Sequence, residues 1–204
     1  MPRTHRVLLV AGTLLACGTA TQPPATAADH NLVNNGTFSR PAAPDTDLGH
    51  RRIDSDNAGE LPEWRLRSGD IDIVGRKLAG SPSYHQAANL TGGSPGSIEQ
   101  SFETTVGQRY VIRWEHSRET WPGCDEIPEQ PYTVEIVANK RKRFVPPEQG
   151  ERWGPASLQF LAEGEEETLR FSSASPPESG HCGAMITNVK VVPFSEDADD
   201  TPDH

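Results

Sequence analysis

The chain has 204 residues, 19 Lys and Arg against 29 Asp and Glu, and a formal charge of -10. That acidic balance excludes a nucleic-acid binder built on a basic face, and no apolar run reaches the ~20 residues that span a bilayer. Eighteen Gly and 18 Pro exclude a helical bundle and suit a single β-rich domain with many turns.

The N-terminus reads as an export address. Arg3 and Arg6 precede an apolar stretch from Val7 to Ala16, and Ala25-Thr26-Ala27 follows. This is the layout of a secretory signal peptide over residues 1–27. Leu14-Leu15-Ala16-Cys17 offers a second route, a bacterial lipobox in which lipidated Cys17 would anchor the protein at the cell surface. Cleavage after Ala27 leaves 17 basic and 29 acidic residues, a charge of -12. It also leaves two cysteines, Cys124 and Cys182, which an exported chain is expected to pair. Two isolated cysteines do not make a zinc cage.

Asn31 to Phe38 opens the mature chain. The polar, Pro-rich stretch after it, with Pro41, Pro44, Arg51-Arg52 and Pro62, is expected to be a long loop reaching Leu66. Short strands then recur. Ile71 and Ile73 alternate with Asp70 and Asp72. Ile98, Gln100 and Phe102 share a face, as do Tyr110, Ile112 and Trp114, then Tyr132, Val134 and Ile136. Leu158/Phe160, Leu169/Phe171 and Ile186 to Val192 continue the series. Period-2 alternation with frequent turns predicts an all-β fold, an antiparallel jelly-roll β-sandwich over 28–194 as a single domain. Residues 195–204 are expected to be an acidic disordered tail.

Several motifs invite chemistry. Gly92-Gly-Ser94-Pro-Gly96 fits G-x-S-x-G, but Pro95 has no N–H to serve as an oxyanion donor, so a turn is expected. His181 beside Cys182 is no nucleophile pair, because an oxidised cysteine supplies no thiolate. Asp70 and Asp72 share a strand face, and glycoside hydrolysis needs two carboxyls facing each other across a sugar, about 5–10 Å apart. Their alternation with isoleucine reads instead as a solvent-facing strand. Lys140-Arg-Lys-Arg143 is expected at a hairpin turn, where it either keeps an edge from pairing or contacts an acidic polymer such as a uronic-acid polysaccharide or a teichoic acid. No cofactor motif is present.

Aromatics supply the binding signal. Trp64, Trp114 and Trp153 are expected in the core. Trp121 lies in the loop Glu119 to Cys124, where its face suits stacking on a sugar ring, flanked by Arg118, Glu119 and Asp125. Tyr84 and His85 form a second loop candidate. The alternative places Trp121 as a lid over the disulfide.

The order of landmarks resembles the choice-of-anchor C family and its relatives of the domain-of-unknown-function 642 type. The matching pieces are Asn31-Leu-Val-x-Asn-Gly-x-Phe38, Trp64, Gly69-Asp-Ile-Asp-Ile-Val74, Asn89-Leu-x-Gly92, Ser94-Pro-Gly-Ser-Ile-Glu-Gln100, Val106-Gly-Gln-Arg-Tyr110, Trp153 and Cys182-Gly-Ala-Met-Ile-Thr-Asn-Val189. The resemblance implies a galactose-binding-like sandwich that is exported, non-catalytic and bound to polysaccharide or cell-envelope glycan. Ser39 and Thr187 stand where the family carries acids, so no metal is expected. The alternative is a cell-surface structural or protein-interaction module, with the Lys140–Arg143 turn or an edge strand recruiting a partner.

Overall fold

Alternation of inward and outward side chains sorts the chain into two antiparallel sheets. The structure, a computed structural model, describes residues 30–81, 85–124, 126–127, 129–147, 153–176 and 179–195. In chain order the strands are β1 (His50–Ile53), β2 (Arg65–Ser68), β3 (Ile71–Val74), β4 (Ala87–Asn89), β5 (Ser97–Glu103) and β6 (Arg109–Arg118). They continue as β7 (Tyr132–Ile136), β8 (Lys140–Phe144), β9 (Trp153–Leu161), β10 (Glu166–Ser173) and β11 (Ala184–Pro193). One sheet has the order β1-β3-β4-β11-β6-β9 and the other β2-β5-β10-β7-β8.

The expected inward triplets meet between the sheets. Ile98, Ile112, Val134, Ile136, Leu169, Phe171 and Ile186 are fully buried there, each worth about 1.5–3 kcal/mol against exposure. Phe171 sits among Trp64 and Trp114, its ring centroid 6.1 and 5.6 Å from theirs. Below them a polar chain crosses the core. Trp114 Nε1 donates to the Tyr132 hydroxyl at 2.7 Å, and that hydroxyl lies 2.6 Å from His116 Nδ1.

The Asn31–Phe38 segment closes the barrel-like seam against β11. Val191 N–H donates to Asn31 Oδ1 (2.8 Å), Val189 N–H donates to the Gly36 carbonyl (2.9 Å), and Trp64 Nε1 donates to the Asn35 carbonyl (3.2 Å). The contact uses a bulge in β11 between Thr187 and Lys190, with Asn188 at φ 52°. Gly36 has no alternative here, because a Cβ would run into the Val189 carbonyl oxygen.

Three expectations change. The stretch after Phe38 is not one long loop: Arg51-Arg52 lies in β1, and a short 3-10 turn, Ala58–Glu60, follows. One helical turn, α1 (Arg76–Ala79), interrupts the strands. The basic run is β8 itself, an edge strand, while the turn lies before it at Val137 to Asn139, with Ala138 at φ 65°. Asp72 faces no solvent and is buried with the rest of β3. Arg52 of β1 lies over it in a paired hydrogen bond, and a second apolar cluster, formed by Val74, Ala79, Ala87, Trp153 and Met185, occupies the outer face of the six-stranded sheet beside it. Trp153 Nε1 fastens α1 there through the Ala79 carbonyl, 3.0 Å away. One polar outer face was the right expectation only for the five-stranded sheet, where Ser97 bonds Ser172, Ser101 bonds Thr168, and Arg170 bridges Glu99 and Glu135.

Among the described residues no helix is long and apolar enough to cross a membrane. The export segment with Cys17, Tyr84, Asp125 and residues 196–204 lie outside the described residues.

Candidate functional site

Two loops leave the same end of the six-stranded sheet, one after β6 and one before β11. Cys124 and Cys182 join them through a disulfide with Cα atoms 5.3 Å apart. Buried polar side chains fix both from beneath. Asn89 Nδ2 donates to Glu119 Oε2 and to the His181 carbonyl, each at 3.2 Å. Glu119 Oε1 accepts the Trp121 N–H at 2.8 Å, and Gln130 pairs with the Glu119 backbone through both ends of its amide. Buried polar groups satisfied this completely make a rigid floor.

On that floor Trp121 folds back over the outer face of the sheet. Its indole meets His50 of β1 edge to face at 4.9 Å and His181 edge to face at 5.5 Å. His50 Nδ1 lies 3.1 Å from the Leu48 carbonyl; a carbonyl only accepts, so Nδ1 carries the proton and Nε2 remains for another partner. His50, Arg52, Gly92, Gly93, Trp121, Pro122, Gly180 and His181 enclose an open cleft of about 460 Å³.

Arg52 forms one wall. Its Nε and Nη2 donate to the two oxygens of buried Asp72 at 2.5 and 3.2 Å, and Nη1 lies 3.5 Å from Asp70. The hydrogen bond to Asp72, with the charges of Asp72, Asp70 and Asp54, raises the Arg52 pKa against the opposing effect of burial. Asp70 in turn accepts the Gly93 and Ser94 N–H groups and the Ser94 hydroxyl. A Cβ on Gly93 would stand 2.8 Å from Arg52 Nη1, so a side chain there would push the guanidinium aside.

These contacts assign the motifs. The G-x-S-x-G stretch is a turn capped by Asp70, closed by a bridge between Thr91 and Pro95. Asp70 and Asp72 both serve Arg52 rather than facing each other across a groove. The Sγ atoms of Cys124 and Cys182 and a ring nitrogen of His181 lie within 4.8 Å of one another, but both sulfurs are spent in the disulfide. At the two positions where acids are expected in the family, Thr187 donates to the Gln86 carbonyl (2.6 Å) and the Ser39 hydroxyl donates to Asn35 Oδ1 (3.5 Å). Hydrogen-bond donors take those oxygens.

The structure separates the three candidate contacts it describes, Tyr84 lying outside the described residues. Trp121 lines the cleft. Arg118 turns inward, its Nη2 donating to the Ile127 carbonyl at 2.6 Å, and is not among the lining residues. Glu119, expected as a flanking contact, is buried in the floor. His85 lines a separate cavity of about 350 Å³ with Ser39, Asp45 and Arg76. Sequence reasoning missed His50, Arg52 and the Gly92-Gly93 wall, and used His181 only as a rejected nucleophile partner. The signal available was convergence: Asn89-Leu-x-Gly92 and Cys182-Gly183 both build this floor, with Gly183 packed against Asn89 and Thr91.

Fold and cleft together define an antiparallel β-sandwich carrying a loop-built site tied by a disulfide. The family model described as protein of unknown function (DUF642) matches residues 31–192, and the chain belongs to that family. Halomucin of Haloquadratum walsbyi (strain DSM 16790 / HBSQ001) is 29% identical over 199 residues. That alignment takes 95% of this chain and 2% of halomucin, so the chain spans a small fraction of this relative's length. Among solved structures, the arabinose-bound α-L-arabinofuranosidase MgGH51 is similar at TM-score 0.52 and 12% identity, over 80% of this chain and 26% of that one. TmCBM61 in complex with β-1,4-galactotriose is similar at TM-score 0.46 and 11% identity, over 81% of this chain and all of that one.

Proposed function

We propose that this protein is an exported, non-catalytic β-sandwich that binds a cell-wall or extracellular carbohydrate in the Trp121 cleft. One observation carries the reading. Trp121 is held between His50 and His181 at the mouth of an open cleft, above a floor whose polar groups are already satisfied. An indole fixed this way offers an apolar face to a sugar ring without losing side-chain freedom on binding. The His50 and His181 ring nitrogens and the Arg52 wall stand around it as polar groups that orient hydroxyls. The outer face of the five-stranded sheet offers no comparable surface, since its described rows are Ser, Thr, Arg and Glu.

The galactose-binding-like assignment and the choice-of-anchor C likeness belong to the same reading. Fold likeness at these identities reaches the architecture alone, so the cleft carries the function. The test is a glycan array and a pull-down with insoluble polysaccharides, read for wild type and for Trp121→Ala. Binding by wild type that fails in the folded variant supports the cleft. Absence of binding to every polysaccharide overturns it in favour of a structural or protein-interaction module of the cell surface.

A further inference from the structure

The strand β8 presents Lys140, Arg141, Lys142 and Arg143 in succession, all exposed, at the free edge of the five-stranded sheet. Pairing with β7 sets their directions. Lys140 and Lys142 stand opposite Ile136 and Val134 and lie on the rim facing the other sheet, whereas Arg141 and Arg143 stand opposite Glu135 and Thr133 on the outer face. Among the described residues little of this charge is neutralised. Lys140 Nζ donates to the Gln159 carbonyl at 2.7 Å, and Lys142 Nζ lies 4.9 Å from the centroid of the Phe144 ring. Arg143 reaches Glu129 at 3.3 Å in a pair exposed on both sides, and Glu135, opposite Arg141, is drawn to Arg170. A charged edge strand discourages pairing with another chain, and a single inward lysine would do that much. Four consecutive cations in a protein of charge -10 repel one another and ask for a polyanion.

We infer that β8 is a second binding site, for a linear acidic polysaccharide carrying carboxylates or sulfates. Charges on one face of a strand recur every ~6.6 Å, a spacing suited to a polymer with one anionic group per sugar. Duplex nucleic acid carries a charge every ~1.7 Å, and the acidic remainder of the protein repels so dense a field. Lys140 ties β8 to β9, the edge of the six-stranded sheet opposite β1 and its His50, so the two sites are separable and one molecule can hold a neutral and an acidic chain together.

The experiment measures binding of the protein to polygalacturonate and to dextran sulfate by affinity electrophoresis, with neutral galactan and duplex DNA as comparison arms. Lys140→Gln/Lys142→Gln and Arg141→Gln/Arg143→Gln are read separately and combined, with circular dichroism confirming the fold. The expected result is retardation by the acidic polysaccharides that weakens with added salt and on the order of tenfold in the combined variant. Trp121→Ala should leave it unchanged, which separates this site from the cleft. Equal retardation of wild type and the combined variant would overturn the proposal, as would preference for DNA, or self-association of the variant with no loss of polyanion binding.

Discussion

The Trp121 indole and the His50 imidazole meet edge to face with ring centroids 4.9 Å apart, although one belongs to a loop after β6 and the other to the edge strand β1. The contact carries Trp121 across three intervening strands of the sheet order, β3, β4 and β11. Only a loop anchored at several points holds such a reach. The disulfide, the Glu119 carboxylate and the Gln130 amide are those anchors.

Removing the disulfide should therefore loosen both site and fold. The two cysteines are separated by 58 residues, for which the chain-entropy model gives roughly 4 kcal/mol. Cys124→Ala/Cys182→Ala is expected to lose about 2–4 kcal/mol in urea unfolding and to release the Trp121 contact, seen as a shift of tryptophan emission. A loss under about 1 kcal/mol would show that the buried polar floor fixes the loops unaided.

Much of the sandwich was legible because strand alternation is local. Tyr132, Val134 and Ile136 had to face one way whatever lay opposite them, and Ile98, Gln100 and Phe102 likewise. What failed was the second face of the six-stranded sheet. The alternation of Asp70 and Asp72 with isoleucine is the same pattern whether the polar face meets water or a covering group, and nothing local announces that Arg52 will pair with both carboxylates or that one helical turn and Trp153 will pack on Val74. The site was half legible for a related reason. Trp121 and the cysteines identify their own loop, whereas His50 and Arg52 reach the cleft only through the pairing of β1 with β3, which no local pattern encodes. The Asn31–Phe38 motif gained a physical meaning from the structure, as a plug whose Gly36 must touch Val189.

Arg52 and Asp72 should behave as a unit. Arg52→Met leaves a carboxylate that is 2% exposed without its partner. Water reaches the arginine, whose side chain is 39% exposed, so the expected loss is roughly 2 kcal/mol, below that for a fully buried pair. Adding Asp72→Asn should recover part of it, and a double-mutant cycle by chemical denaturation reads the coupling. Independent, additive losses would contradict the pairing.

Stability should fall in mild acid because of His116. Burial lowers its pKa from 6.5 to about 4. The ring is neutral in the fold, accepting from the Tyr132 hydroxyl while that hydroxyl accepts from Trp114. Between these two pH values the unfolded chain binds the proton and the folded chain does not. This contribution is present in full above pH 6.5 and is lost as pH falls toward about 4, by roughly 3 kcal/mol at most. Tyr132→Phe should cost about 1–3 kcal/mol at neutral pH by leaving Trp114 and His116 without a partner, and His116→Gln, which removes the titrating ring, should flatten the acid limb of a melting-temperature profile. An unchanged limb would contradict the assignment.

The central claim is that Trp121 binds sugar. Its most direct test is isothermal titration of the best oligosaccharide from the glycan screen into wild type and Trp121→Ala, both checked for the native β-sheet spectrum. Affinity is expected to weaken on the order of tenfold or more, with the melting temperature nearly unchanged because the indole is half-exposed. Equal affinity in the two proteins would contradict the account and leave Trp121 as a cover for the disulfide-tied loops.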